Sequence, residues 1–165
     1  MRFADIVRKA REPMIAQIKL AWWRDAFVAE PALRPKGEPL LQALGTCGDV
    51  ISPSALEDLV SAWELLLGED AWAAQDVEAH AALRGDAVFG SYAAWIGEVC
   101  DVRSLSHQWA LDALRLEFPS KFVALDNQPH PALPKGRKLR SLSILAMSVR
   151  NVSGLRLIGH ALTGW

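Results

Sequence analysis

The chain has 165 residues, 51% of them hydrophobic, and its 18 basic and 19 acidic side chains nearly cancel. This balance leaves no electrostatic case for nucleic-acid binding, which depends on a basic surface. Alanine and leucine dominate the apolar residues while strand-favouring residues are scarce, so the composition predicts an all-α protein. The length suits a single domain, residues 1–165, with its own core.

Membrane crossing and secretion are also not expected. No apolar run reaches the roughly 18 residues that a spanning helix needs, and no secretory signal pattern opens the chain. Cys47 and Cys100 lie far apart without metal-site spacing, which is typical of free thiols in a reducing compartment, and Cys100 is expected in the core at a helix end. The sequence therefore predicts a cytoplasmic protein, either soluble or in peripheral contact with a membrane.

The first predicted elements follow from apolar residues that recur at intervals of three and four. Residues 2–12 form a short amphipathic helix. A longer helix covers residues 13–30, because proline suits its first turn and Pro31 prevents its continuation. A connection rich in proline and glycine then leads to a short helix around residues 40–44.

The same periodicity continues through the rest of the chain. Ser52 or Ser54 can cap the next helix, which Gly68 ends. A later helix begins at Ser104 or Ser106. Small residues between positions 90 and 97 allow close helix contact. Helical segments are predicted over residues 71–101 and 104–118, and a final pair of helices over residues 137–151 and 153–165.

Two adjacent tryptophans, Trp22 and Trp23, followed by Arg24 and Asp25, distinguish the helix over residues 13–30. Neighbouring side chains on a helix point about 100° apart, so the two indoles cannot share one narrow stripe. A helix contacted on two faces accommodates both. We therefore expect both indoles to be mostly buried on different sides, and Arg24 or Asp25 to reach a neighbouring helix.

Residues that carry enzyme chemistry are sparse. The chain contains no Gly-x-Ser-x-Gly, Walker or Rossmann motif, and its four histidines stand singly, so neither catalytic residues nor a metal site is predicted. Carboxylates that share Mg²⁺ on a helix stand four residues apart. Asp112 and Glu117 are five apart, and Asp70 and Asp76 are further apart still. We expect these acids to be solvated on helix surfaces.

Residues 12–27, EPMIAQIKLAWWRDAF, resemble the segment of bacterial squalene/phytoene synthase family proteins that runs close to E-P-x-x-x-x-I-R-L-x-W-W-R-D-x-L. Lys19 stands for the usual arginine and Phe27 for leucine. Residues 76–97 look like the segment that lines the prenyl cavity in relatives, although Ala82 replaces an expected tyrosine. The resemblance implies a helical bundle like a truncated isoprenoid synthase fold. Lys19 and Arg24 are the candidate substrate-binding residues, since both can attract a diphosphate.

Family enzymes condense two prenyl diphosphates head to head, using Mg²⁺ held by two Asp-rich motifs. Here no paired acids precede Trp22, and no Asp-x-x-x-Asp occurs in residues 113–127. We therefore expect a shortened, non-catalytic relative that needs no cofactor. Family members also have a helix at the front of the bundle for which this sequence shows no counterpart. Its absence predicts an exposed apolar strip beside the Trp-Trp-Arg-Asp helix.

Three functions remain open at this stage. The first is a non-catalytic protein that binds a prenyl or lipid-like ligand, a protein partner or a second copy of itself. The second is an active prenyltransferase whose Mg²⁺ is held by rearranged acids such as Asp70, Asp76 and Glu78. The third is a helical scaffold protein unrelated to prenyl chemistry. Magnesium-dependent release of diphosphate from farnesyl and geranylgeranyl diphosphate distinguishes the second function from the other two.

Overall fold

The computed structural model describes residues 3–47, 51–68, 71–98, 101–121 and 130–150, and every regular element in these ranges is helical. The predicted all-α class is therefore confirmed. Among these residues, no helix combines the length and the apolar character that a membrane crossing needs. The α-helices are α1 (Phe3–Lys9), α2 (Pro13–Val28), α3 (Pro39–Cys47), α4 (Pro53–Glu64), α5 (Ala74–Gly85), α6 (Ser91–Trp95), α7 (Arg103–Glu117) and α8 (Arg140–Ser148).

Helix ends follow local chemistry. Pro13 opens α2 as predicted, but the helix ends at Val28 and not at Glu30. Glu30 is extended because the ring of Pro31 disfavours helical backbone in the preceding residue. At α4 the Ser52 hydroxyl accepts a hydrogen bond from the Ala55 N–H at 3.2 Å, so Ser52 is the cap.

The start of α7 differs from the prediction. The helix begins at Arg103, whose N–H donates to the Asp101 carboxylate at 3.0 Å. The Ser106 hydroxyl lies inside the first turn and donates to the Arg103 carbonyl. An acid two residues upstream therefore does the work expected of Ser104 or Ser106. The predictions for Cys100 and for a helix within residues 153–165 lie outside the described residues.

The helices pack around α5. It lies along α7 on one side and α4 on the other, α4 contacts α2, and α1 covers α2 and α4. At Gly85 α5 approaches α7 closely, since a Cβ there would lie 2.7 Å from the Ser106 carbonyl carbon. Gly90, one of the small residues predicted to allow such contact, has open space around its Cβ position. For Gly90 the prediction is therefore wrong.

The two tryptophans of α2 have different surroundings. Trp23 is 3% exposed in the core, whereas Trp22 is 41% exposed, so the prediction of two mostly buried indoles is wrong for Trp22. Among the described helices, α1 and α4 pack against α2, and Trp22 touches the edge of Trp23 with ring centroids 5.1 Å apart. Arg24 reaches α4 as predicted, donating to Glu64 at 2.7 Å and to Ser61 at 3.1 Å. Asp25 is exposed.

Candidate functional site

An apolar groove of about 510 Å³ lies between α2, α3, α4 and α6. Four separate parts of the chain build it, so its lining could only be read from the folded structure. Phe27, Leu56 and Ala87 are its buried residues, and Leu40 and Trp95 are half-exposed at its edge. Its lining residues are Phe27, Leu40, Leu44, Ile51, Ala55, Leu56, Leu59, Ala87, Val88, Ser91, Tyr92 and Trp95.

The Trp-Trp-Arg-Asp motif supports this groove from behind. The Trp23 ring packs on Phe27, with centroids 5.4 Å apart, and Phe3 of α1 contacts both rings edge-on. Aromatic rings in contact prefer particular relative orientations, and this preference adds to the stability that their buried area provides. Arg24 meanwhile joins α2 to Glu64 of α4, the helix that forms the opposite wall. The motif therefore fixes the distance between two walls of the groove.

A π-helix, Asp86–Gly90, connects α5 to α6 at the groove. A π-turn inserts one extra residue into a helical turn and so rotates all the side chains that follow. Ala87 and Val88 of the π-helix, with Ser91 and Tyr92 of α6, line the groove. Because π-turns are rare and are found frequently at functional sites, this one makes the groove a candidate site.

The polar groups of the groove are few. Ser91 contributes a hydroxyl and Tyr92 a phenol, and the Tyr92 O–H donates to the Lys138 carbonyl at 3.1 Å. This hydrogen bond ties α6 to the segment before α8. Among the described residues that line the groove, none has a charged side chain. This part of the lining suits an apolar chain that has one hydrogen-bonding group.

The candidate substrate-binding residues do not belong to this groove. Lys19 is exposed on α2, and Arg24 is engaged with Glu64 and Ser61. Neither residue is part of the lining. Their suggested contact with a diphosphate stays a prediction.

Two of the three acids considered for magnesium lie in the described residues. Asp70 lies outside the described residues. Asp76 and Glu78 lie in the first half of α5, where the Glu78 carboxylate is 2.8 Å from His107. Within the part of the chain that the structure describes, no three His, Cys, Asp or Glu side chains form a group that could hold a metal ion.

Two other acids have protein partners, contrary to the expected surface solvation, and one of them, Asp112, is buried. Glu117 forms two hydrogen bonds with Arg84, at 3.0 and 3.1 Å. The Arg84 guanidinium also lies between two indoles, 4.9 Å from the Trp63 centroid and 5.1 Å from that of Trp109. Asp112 is buried and accepts a hydrogen bond from the side chain of Gln108. The α5–α7 interface is thus held by paired charge within an aromatic shell.

His80 lies on α5 and contacts α4. It is fully buried, and its Nδ1 lies 2.8 Å from the Ala62 carbonyl, which can only accept, so Nδ1 carries the hydrogen. Burial lowers the pKa of His80 to about 4, and the nearby Arg84 charge acts in the same direction. His80 is therefore neutral at physiological pH. It serves as a hydrogen-bond donor between α5 and α4.

Comparisons of the chain with family models, with curated proteins and with solved structures find no match. Function is therefore inferred from the chemistry of the groove and from the family resemblance of residues 12–27 and 76–97. The resemblance to the family stays a prediction, and part of the groove's lining lies in the second of these segments. Ala87, Val88, Ser91, Tyr92 and Trp95 all come from the segment that looks like the cavity-lining part of the family.

Proposed function

We propose that the protein is a non-catalytic, squalene/phytoene synthase-like protein that binds an uncharged isoprenoid or similar lipid-like chain in the apolar groove. The observation that carries this proposal is an unfilled space of about 510 Å³ whose lining is apolar apart from one hydroxyl and one phenol. Ligand pockets in proteins typically measure about 300–1,000 Å³ and combine apolar walls with a few orienting polar groups.

The absence of charge in the lining selects for a neutral ligand. A diphosphate drawn into an apolar site without a cation would lose its hydration without compensation, at several kcal/mol. Lys19 and Arg24 are not placed to supply that compensation. A prenyl alcohol can bury its chain and form a single hydrogen bond with Ser91.

The shape of the groove favours a flexible chain over the helix of a protein partner. A helix is about 10–12 Å across and docks along several turns. The groove is formed by α4 over little more than one turn, between Ala55 and Leu59. For a single aliphatic chain, a contact of this length along α4 is sufficient. Each buried methylene contributes about 0.8 kcal/mol, equivalent to roughly a fourfold change in affinity.

The proposal is tested by titrating the protein with geraniol, farnesol, geranylgeraniol and farnesyl diphosphate. We expect affinity to rise with chain length until the groove is full, and farnesol to bind at least tenfold more tightly than farnesyl diphosphate. Ala55→Phe fills the groove from α4 and should abolish binding of the alcohols. Ala79→Phe, the same change at an exposed position of α5, is the matched control and should leave binding unchanged.

Two results would contradict the proposal. If Ala55→Phe still binds the alcohols, the groove is not their binding site. Magnesium-dependent release of diphosphate from farnesyl diphosphate would show that the protein is an enzyme and would favour the prenyltransferase alternative.

A further inference from the structure

The face of α2 that points away from the core carries an apolar strip. We define the outer strip as Met14, Ile15, Ile18 and Trp22, which lie on adjacent turns of one side of the helix. Met14 is 68% and Ile18 63% exposed. The opposite side of α2 packs in the core through Leu20 and other residues, so α2 presents two apolar faces, of which the described residues cover one.

The outer strip has several cations near it in the sequence. Residues 8–25 contain five basic and two acidic side chains, and two of the basic ones, Arg8 and Arg24, form ion pairs with Asp5 and Glu64. Lys9, Arg11 and Lys19 are exposed, and no ion pair within the described part of the chain involves them. Such a surface combines exposed apolar residues with unpaired cations. It would complement a partner in which an apolar layer lies beneath a negatively charged surface.

We infer that the outer strip docks the protein onto the surface of an anionic lipid bilayer. Trp22 is suited to the interface, where an indole keeps its N–H among the headgroups and its ring among the acyl chains. Lys19 can extend along the strip so that its ammonium meets lipid phosphates while its methylenes stay apolar. Helices that lie in the membrane plane combine the same features, an apolar face with Trp and aliphatic residues and a basic border.

The outer strip could instead bind a second copy of the chain, but it meets the requirements of a dimer interface less well. From Met14 to Trp22 the outer strip rises only about 12 Å along the helix axis. Stable protein interfaces bury about 800 Å² on each partner, far more than such a strip supplies. Two strips facing each other would also bring their cationic borders together. A bilayer needs neither a larger area nor an opposite patch on a second protein.

The inference is tested by flotation of the full-length protein with phosphatidylcholine vesicles, with and without phosphatidylglycerol. We expect binding to vesicles that contain phosphatidylglycerol, weakened by salt. Ile18→Asp should lower the partition coefficient about tenfold or more. The matched control is Leu116→Asp on α7, a residue 61% exposed, which should bind as the unaltered protein does. Lys19→Glu should remove the preference for phosphatidylglycerol.

Other outcomes would overturn the inference. One is absence of vesicle binding; another is equal loss in the Ile18 and Leu116 variants. A dimer in sedimentation velocity that Ile18→Asp dissociates, without vesicle binding, would assign the outer strip to self-association. Ala55→Phe, which fills the groove, should bind vesicles normally, so this inference and the proposed ligand fail or survive separately.

Discussion

The α5–α7 interface and the apolar groove lie at successive parts of one helical stretch, from α5 through the π-helix to α6, yet they use their residues in opposite ways. At the interface Gly85 allows backbone contact, and Arg84 has a carboxylate and two indoles as partners. At the groove the surrounding side chains leave about 510 Å³ unfilled. Protein interiors are normally packed as densely as organic crystals. The contrast between the two regions is one reason why we propose that the groove binds a ligand.

The largest effect should come from breaking the ion pair of the closely packed region. Glu117→Ala leaves the Arg84 guanidinium buried without its carboxylate, and we expect a loss of about 3–5 kcal/mol in the free energy of unfolding. Urea denaturation measures it. Glu64→Ala removes the half-exposed partner of Arg24 and should lose only about 1 kcal/mol or less. Equal losses would mean that Arg84 is not desolvated as the structure indicates.

His80 should give the same region a pH dependence. Its pKa is about 4 in the folded protein and about 6.5 when unfolded, so between these values the unfolded chain binds more protons. The free energy of unfolding should therefore decrease as pH falls from about 6.5 to about 4, by about 3 kcal/mol in total. In His80→Gln this contribution should vanish. A stability profile with the same slope in both proteins would contradict the assignment.

Gly85→Ala tests the close approach of the two helices. The added methyl meets the Ser106 backbone, which cannot move alone, and we expect a loss of about 1–3 kcal/mol. Gly90→Ala is the control, since its Cβ position is open and its backbone is helical. It should stabilise the protein by about 0.4–1 kcal/mol through the unfolded state. Thermal unfolding of both variants should give shifts of opposite sign.

Ala55→Phe should have the smallest effect on stability. Because the new ring enters existing space, we expect the free energy of unfolding to change by no more than about 1 kcal/mol, and in the stabilising direction. Differential scanning calorimetry without ligand measures it. A loss above 2 kcal/mol in the free energy of unfolding would show that the groove cannot accept added volume. The groove would then be as closely packed as the contact at Gly85.

The sequence predicted the helices well because their signals are local. Apolar periodicity, Pro13 at the first turn of α2 and the Ser52 cap all act within a few residues. Pairings across the fold have no such signal. The bond between Arg84 and Glu117 spans 33 residues, and Glu117 was therefore interpreted as a surface acid. Local patterns do not show whether a second apolar face has a neighbour to cover it.

The same limit applies to the site. The aromatic and charged residues of the Trp-Trp-Arg-Asp motif were recognisable, and Arg24 does join α2 to α4. The motif's effect on the groove depends on Phe27 and on α3, which only the folded chain brings together. Trp22 was predicted to be mostly buried because periodicity alone cannot distinguish a face that packs in the core from one that remains open.

The central claim, that the groove is binding space while the α5–α7 interface is closed, is tested most directly by methyl NMR during titration with geranylgeraniol. The account predicts saturable shifts of the groove methyls of Leu44, Leu59 and Val88. The methyls of Val77 and Leu105, in the core of α5 and α7, should stay unchanged. Shifts centred on Val77 and Leu105, or no saturable shift at any of these methyls, would contradict it.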